Sequence, residues 1–246
     1  MSSKSEIMTS IYVLDAGNTR FKLALFEEDT LKEVRFFEMK ESLLKKLKKN
    51  DIVVLSSVIE NDFLTELEGK VGFVFKIHHD LKLPFSIIYE TLNTLGIDRL
   101  CNAAALSTQF SGQNRLCIDI GTCIKFDFLN AKNEFEGGSI SPGLLMRYKA
   151  LNTFTARLPL LQPSDEIALI GTNTETSIRT GVQLGMRAEM EGMMQRYQTQ
   201  YEDLKIFVTG GDAHYFDFEQ KNSIFADDNL TLKGIFELYK LNATHA

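Results

Sequence analysis

Three features are missing from this 246-residue sequence, and each absence argues against a class of protein. No apolar run approaches the ~20 residues that a membrane-spanning helix needs. The three cysteines, Cys101, Cys117 and Cys123, form no Cys-x-x-Cys pair, and no segment resembles a secretory signal, which fits a reducing compartment. Lysine and arginine number 27 against 33 acidic residues, so the net charge of −6 gives no basic signature for nucleic acid. We therefore expect a soluble cytoplasmic protein that binds neither membranes nor nucleic acid.

A polar cluster near the start of the chain separates two apolar runs that both predict strands. In YVLDAGNTRFKLALF, residues 12–26, the cluster begins at Asp15 and includes Gly17, Asn18 and Thr19. One interpretation is turn chemistry, because Gly and Asn tolerate positive φ and Asp and Thr bond to nearby backbone. The other is a phosphate-binding turn, in which small residues admit phosphate oxygens to backbone N–H groups and Asp15 holds a cation.

The same pattern recurs almost half a chain later. In RLCIDIGTCIKFDFL, residues 115–129, a second Asp-x-Gly turn begins at Asp119, 104 residues after Asp15, and Thr122 takes the place of Asn18. Strands and helices alternate around both copies, which predicts α/β layers. Two such turns suggest a duplicated domain with facing phosphate loops. We place the two halves at residues 11–112 and 113–246.

A third motif lies between the two turns, at the start of a predicted helix. In GIDRLCNAAALSTQF, which begins at Gly96, Asp98 and Arg99 fall in the first helical turn. In one interpretation, Asp98 only complements the helix dipole and Arg99 is a surface residue. Alternatively, Asp98 is a general base that accepts a proton from an alcohol, and Arg99 anchors an anionic group of the same substrate.

At both hairpins the sequence resembles the actin, hexokinase and heat-shock-chaperone ATPase superfamily. The resemblance implies an α/β fold of two ribonuclease H-like halves, each a mixed sheet flanked by helices, with a nucleotide cleft between them. It also implies a third glycine-rich turn that meets the adenosine, and FVTGGDA, residues 207–213, is placed to be that turn.

Six motifs in family order narrow the resemblance to the type III pantothenate kinases. They are DAGNTRFK (15–22), GIDR (96–99), DIGT (119–122), GGSISPGLLMR (137–147), GTNTETSIRTG (171–181) and TGGDA (209–213). Each motif is short, and together they cover the chain from about residue 11 to residue 240. The resemblance implies ATP-dependent phosphorylation of pantothenate to 4′-phosphopantothenate, the first step of coenzyme A biosynthesis, by a homodimer.

The resemblance also implies a role for each matching residue. Asp98 is the base, and Asp119 ligates a monovalent cation, potassium or ammonium, while Mg²⁺ accompanies the ATP phosphates. The implied ATP-binding residues are Asp15, Ala16, Gly17, Asn18, Thr19, Arg20, Phe21, Lys22 and Thr122. The implied pantothenate-binding residues are Tyr89, Gly96, Ile97, Asp98, Arg99 and Thr174, the last acting across the dimer interface.

One stretch departs from the family pattern, directly after the second turn. Cys123, Ile124 and Lys125 stand where the family usually has Ala and small polar residues. Counting strand alternation from Thr122, we expect the Lys125 side chain to face solvent. Two other functions stay open at this point: a sugar or small-alcohol kinase on the same fold, and a non-catalytic nucleotide-binding regulator.

Overall fold

The structure is a computed structural model that describes residues 10–17, 20–57, 61–216, 218 and 223–243. The predicted ATP-binding residues Asn18 and Thr19 therefore lie outside the described residues. The strands are, in chain order, β1 (Ile11–Ala16), β2 (Phe21–Glu27), β3 (Thr30–Phe37), β4 (Ile52–Ser57), β5 (Phe73–Lys76), β6 (Ser86–Ile87), β7 (Arg115–Ile120), β8 (Cys123–Leu129), β9 (Glu134–Pro142), β10 (Lys205–Thr209) and β11 (Ile224–Ala226).

The described residues also form α-helices, again given in chain order. They are α1 (Lys40–Lys46), α2 (Asn61–Lys70), α3 (Ile97–Ser107), α4 (Leu144–Thr153), α5 (Thr174–Arg179), α6 (Gly185–Gln200) and α7 (Leu230–Ala243). A π-helical turn, Thr180–Leu184, joins α5 to α6, and short 3₁₀ turns lie at Leu92–Thr94 and Ala213–Tyr215. Residues 174–200 therefore form three consecutive helical segments.

The chain separates into two compact units that interleave along the sequence. Unit 1 contains the described residues up to Pro84, then Thr91–Ala105, and those from Leu230 onward, while unit 2 contains Phe85–Glu90 and Leu106 to Asn229. The division predicted from the sequence was into two consecutive segments, residues 11–112 and 113–246. The interleaving has two physical causes: β6 pairs with β9 of unit 2, and α7 packs on α3, where a Cβ built on Gly234 would lie 1.7 Å from the Cys101 carbonyl oxygen.

Unit 1 is built on a five-stranded mixed sheet with the order β3-β2-β1-β4-β5. The pairs β1–β2 and β2–β3 are antiparallel, whereas β4 runs parallel to both β1 and β5. Leu14, Leu23 and Leu55 project from three of these strands into a buried cluster with Phe63 and Leu67 of α2. Burial of this cluster fixes the register of β1, and with it the position of Asp15 near the strand end.

Unit 2 is built on a six-stranded mixed sheet with the order β11-β10-β7-β8-β9-β6. β7 and β8 form the second hairpin, and β10 lies parallel to β7 on its other side. All six residues of β7 are buried, as expected for a central strand covered on both faces. Two mixed sheets with their helices confirm the predicted α/β class.

Candidate active site

The first hairpin places Asp15 at the end of β1, next to the parallel strand β4. Asp15 is in register with Lys22 of β2 on one side and with Ser56 of β4 on the other. The Gly17 N–H donates to the Arg20 carbonyl at 3.3 Å, which closes the described part of the turn. The Asp15 carboxylate thus stands one residue before the end of β1.

Two predicted ATP-binding residues of this hairpin belong to the core. Ala16 is 1% exposed, and Phe21 packs in the buried cluster of unit 1 with its ring centroid 5.4 Å from that of Phe63. Their side chains are therefore buried within unit 1, and their part in ATP binding stays a prediction. Arg20 and Lys22 instead extend over the ring of Phe36, 5.1 and 5.9 Å from its centroid.

Helix α3 presents Asp98 in its first turn, as the sequence predicts. The Arg99 N–H donates to Asp98 Oδ1 at 2.9 Å, which orients the half-buried carboxylate. Gly96 lies directly beneath it, since a Cβ built there would come within 2.5 Å of the same oxygen. A side chain at position 96 would displace the carboxylate. Arg99 itself is 4% exposed, so the interpretation of Arg99 as a surface residue is wrong.

The buried Cys101 thiol is influenced by two predicted site residues of unit 1, Asp15 and Asp98. Burial raises the pKa of this thiol well above its usual value, and the charges of Asp15 and then Asp98 raise the pKa further. A hydrogen bond with Ser56 acts in the opposite direction. The charges of Asp15, near the end of β1, and of Asp98, at the start of α3, thus both act on the pKa of one buried sulfur.

Two members of this cluster, Ser56 and Cys101, were not among the predicted site residues. Cys101 follows Asp98 by three residues, which is one helical turn, so helical periodicity was a signal that could have found it. Ser56 has no such signal, because only the parallel pairing of β1 with β4 brings it beside Asp15.

The second hairpin places Asp119 opposite Lys125. The two residues are direct partners in the β7–β8 register, and Lys125 Nζ lies 2.7 Å from Asp119 Oδ2. The Asp119 side chain is 10% exposed and the Lys125 side chain 15%. The expectation that Lys125 faces solvent is wrong. That expectation was based on alternation counted from Thr122, in the turn. The register decides instead, because opposing residues of an antiparallel pair lie on the same face of the sheet.

The turn of this hairpin is held by backbone contacts. The Gly121 N–H donates to the Cys123 carbonyl at 3.0 Å, and the Thr122 carbonyl accepts from the Gly143 N–H at 3.1 Å. Gly143 immediately precedes α4, and a Cβ there would lie 2.1 Å from the Gly121 carbonyl oxygen. The Thr122 side chain is exposed. The segment GGSISPG, residues 137–143, is mostly strand β9 and meets the turn at its last glycine.

The third glycine-rich turn packs against the second hairpin. Gly210 has φ +102°, which favours glycine, and a Cβ on it would lie 2.6 Å from Asp119 Oδ1 and 2.3 Å from the Ile120 carbonyl oxygen. That carbonyl accepts from the Asp212 N–H at 2.9 Å. Thr209 pairs with Asp119 in register, and its buried hydroxyl has no hydrogen-bond partner among the described residues. The turn therefore shapes the surroundings of Asp119.

Two predicted substrate contacts belong to unit 2. Tyr89 follows β6, and its ring lies 6.2 Å from that of Phe135 and against Gly137, whose φ is +103°. Thr174 begins α5 and lines a cavity of about 820 Å³ with Arg147 and Ser177. Gly96, Ile97, Asp98 and Arg99 belong to unit 1, so their predicted pocket with Tyr89 and Thr174 stays a prediction.

The wall of this cavity is fixed by one buried glutamine. Gln183, in the π-helical turn, accepts a hydrogen bond from the Tyr148 hydroxyl at 2.8 Å. Its side-chain amide also bonds both backbone groups of Ser164, at 3.0 and 2.9 Å. Turns of this kind often occur at functional sites. Burial of Tyr148 raises its pKa to about 12, so the hydroxyl stays a donor at neutral pH.

Comparison with known proteins agrees with the motifs. The sequence model of the type III pantothenate kinase family matches residues 11–196. The chain belongs to the type III pantothenate kinase family. It is 39% identical to the type III pantothenate kinase of Flavobacterium johnsoniae over 94% of this chain and 97% of that protein, and 41% identical to that of Christiangramia forsetii over 94% and 98%. Membership of the type III pantothenate kinases makes the chain an enzyme, a phosphotransferase with an alcohol acceptor.

A solved structure supports the fold. A conserved Baf family protein from Campylobacter jejuni superposes with a TM-score of 0.61 over 93% of this chain and 97% of that one, at 20% identity. At that identity the likeness concerns the fold alone. Among the described residues, no helix combines the length and apolar character that crossing a bilayer requires.

Proposed function

We propose that this chain transfers the γ-phosphoryl group of ATP to the primary hydroxyl of pantothenate, with Asp98 as the general base. The product is 4′-phosphopantothenate, and the reaction opens coenzyme A biosynthesis. The observation that carries the proposal is the Asp98 carboxylate at the start of α3, which accepts the Arg99 N–H and lies against Gly96, where there is no side chain. Asp98 and Asp15 supply the two acidic groups that a kinase of this fold needs, one for the acceptor and one for the metal–phosphate end.

Asp98 fits the role of base by its geometry. One carboxylate oxygen accepts the Arg99 N–H, which leaves the group oriented at the end of a helix. A carboxylate within hydrogen-bond reach of an alcohol takes its proton as the phosphoryl group arrives, and such catalysis contributes ~10²–10⁴ in rate. Arg99 next to it matches the carboxylate at the other end of pantothenate.

Asp15 fits Mg²⁺ by its donor chemistry. Mg²⁺ is usually held by one or two protein carboxylates together with substrate phosphates and water. Asp15 supplies such a carboxylate at a strand end followed by a glycine turn, where backbone N–H groups help to neutralise phosphate oxygens. The bound ion would offset charge on the transferring phosphoryl group. The cleft between the halves that would hold the nucleotide stays part of this proposal.

A homodimer is the second part of the proposal, and exposed apolar side chains support it. Phe154, Leu169 and Ile170 are 86, 81 and 76% exposed, and they lie in the segment between α4 and α5 that also supplies cavity-lining residues. Large apolar side chains so exposed are typical of interaction sites. Sedimentation equilibrium of the full chain tests this part, and a monomer at micromolar concentration would contradict it.

The kinase part is tested by an assay with competing acceptors. Purified protein receives γ-labelled ATP and Mg²⁺ with pantothenate, glucose or N-acetylglucosamine, and label on pantothenate is the expected result. We expect Asp98→Asn to fold normally and to lose turnover by at least about 10². Asp80→Asn makes the same chemical change at a side chain that is 95% exposed, and it serves as the matched control. Label on a sugar alone would overturn the proposal.

A further inference from the structure

We propose that the Lys125 ammonium supplies at Asp119 the positive charge that the family resemblance assigns to a monovalent cation, so that this enzyme works without potassium. The inference concerns the cation requirement and uses the proposed kinase activity as one of its readouts. Its observation is the 2.7 Å contact between Lys125 Nζ and Asp119 Oδ2.

The hairpin itself directs Lys125 to this carboxylate. Asp119 and Lys125 are direct cross-strand partners on one face of the sheet, and both side chains are largely buried. The turn between them, Gly121 to Cys123, is short and fixed by its own hydrogen bond. Lys125 therefore has little freedom to withdraw, in contrast to a lysine on a solvent-exposed strand face.

The surroundings of Asp119 have room for one cation, but not for a potassium ion in addition to the Lys125 ammonium. Potassium binds oxygen atoms, and a carboxylate with the buried Thr209 hydroxyl beside it in register is a suitable beginning. In this chain, however, one carboxylate oxygen already accepts an ammonium. The other faces the third glycine turn, where even a Cβ on Gly210 would come within 2.6 Å of it.

Charge leads to the same conclusion. An ammonium carries the same single positive charge as potassium and donates hydrogen bonds to the oxygens that would coordinate the ion. A second cation at the same carboxylate would be repelled by the first, and this repulsion is strong in a poorly solvated site. The residues present therefore do not fit a potassium ion while Lys125 is in place, and no step of the reaction is assigned to one.

Removing the Lys125 side chain should turn the surroundings of Asp119 into a site for a free monovalent cation. In Lys125→Ala, Asp119 and the Thr209 hydroxyl remain and the ammonium is gone, so a free cation has both room and a charged ligand. We expect that variant to need potassium or ammonium for activity. Lys132→Ala, an exposed lysine in the following turn, is the matched control.

The experiment measures pantothenate phosphorylation at equal ionic strength with potassium, ammonium, sodium or tetramethylammonium as the only added monovalent cation, and with ATP as its Tris salt. We expect wild-type and Lys132→Ala rates to agree within about twofold in all four. Lys125→Ala should lose at least about tenfold in tetramethylammonium and regain most of it in potassium or ammonium. A wild-type rate that rises at least about fivefold with potassium would overturn the inference, as would a Lys125→Ala rate that is unchanged in every salt.

A second readout does not depend on turnover. The melting temperature of wild type should be the same in potassium and in tetramethylammonium, whereas that of Lys125→Ala should rise with potassium, because an ion that binds only the folded state stabilises it. If wild type phosphorylates pantothenate in no salt, the proposed function fails and the melting temperatures alone decide this inference. If Lys125→Ala does not fold, Lys125→Met, which keeps most of the apolar chain, replaces it.

Discussion

Asp15 and Asp119 occupy equivalent places in two hairpins of similar sequence, but their neighbours differ. Each lies near the end of the first strand, and each has a lysine as its cross-strand partner, Lys22 in one case and Lys125 in the other. Asp15 shares its environment with a second carboxylate and a buried thiol. Asp119 is held by an ammonium and packed against a glycine turn. The repeated motif thus stands in two different surroundings, one with a second carboxylate and a buried thiol, the other with a close ammonium and a glycine turn.

Glycine substitutions give the largest expected difference between the surroundings of Asp119, where the third glycine turn packs, and those of Asp15. In Gly210→Ala the new Cβ would meet the Ile120 backbone at 2.3 Å at a φ of +102°, so we expect a loss of about 3 kcal/mol in the free energy of unfolding. In Gly17→Ala the nearest atom, the Arg20 carbonyl oxygen, lies at 3.4 Å, and the loss should be below about 1 kcal/mol. Urea unfolding of both variants measures the difference, and equal losses would break the comparison.

The ion pair of the second hairpin is the next test. Asp119→Asn leaves the Lys125 ammonium largely buried without its charged partner, which should cost about 3 kcal/mol of unfolding free energy. Asp119→Asn combined with Lys125→Met removes both charges and should recover most of that loss. Urea unfolding of the two single variants and the double variant completes the cycle. Additive effects would show that the pair does not couple.

Alkaline pH tests the first hairpin through Cys101. Its pKa is raised in the folded state, so the folded thiol keeps its proton where the unfolded thiol loses it. The stabilising contribution is thus complete below the ordinary value of 9.0 and declines above it, by at most about 1.4 kcal/mol per pH unit. Unfolding free energies of wild type and Cys101→Ala, measured under reducing conditions from pH 8 to 10, should converge as the pH rises. Parallel curves would contradict the shift.

The elements that the sequence predicted well are those with local signals. Both Asp-x-Gly hairpins and the helix that begins beside Asp98 follow from apolar periodicity and turn residues within about 15 positions. The position of Lys125 was missed because alternation along one strand does not carry through a turn, and only the cross-strand register decides which face a side chain takes. The site residues carried over from the family resemblance stay predictions, apart from the burial and contacts given above.

Non-local pairings account for the rest. Residues 85–90 join unit 2 through the pairing of β6 with β9 and the ring contacts of Phe85 and Tyr89 with Phe135, and a parallel strand pair brings Ser56 beside Asp15. The local sequence of these segments contains no signal that predicts either pairing. The π-helical turn at Thr180–Leu184 between α5 and α6 is similar, because it contains the buried Gln183, whose side chain bonds to the loop at Ser164.

The close packing of Gly234 on the backbone at Cys101 has a consequence for biosynthesis. Helix α3 is translated more than 120 residues before α7, yet both helices belong to unit 1 and pack on each other at Gly234 and Cys101. While the ribosome is still reading the later codons of unit 2, the nascent chain already contains Asp15, Asp98 and Asp119. The side of α3 that α7 covers is still exposed at that stage. Folding of the first unit must therefore wait for one of the last helices to be made, and ribosome stalling before that point would release a chain that has every acidic residue of the site but an unfinished core around Cys101.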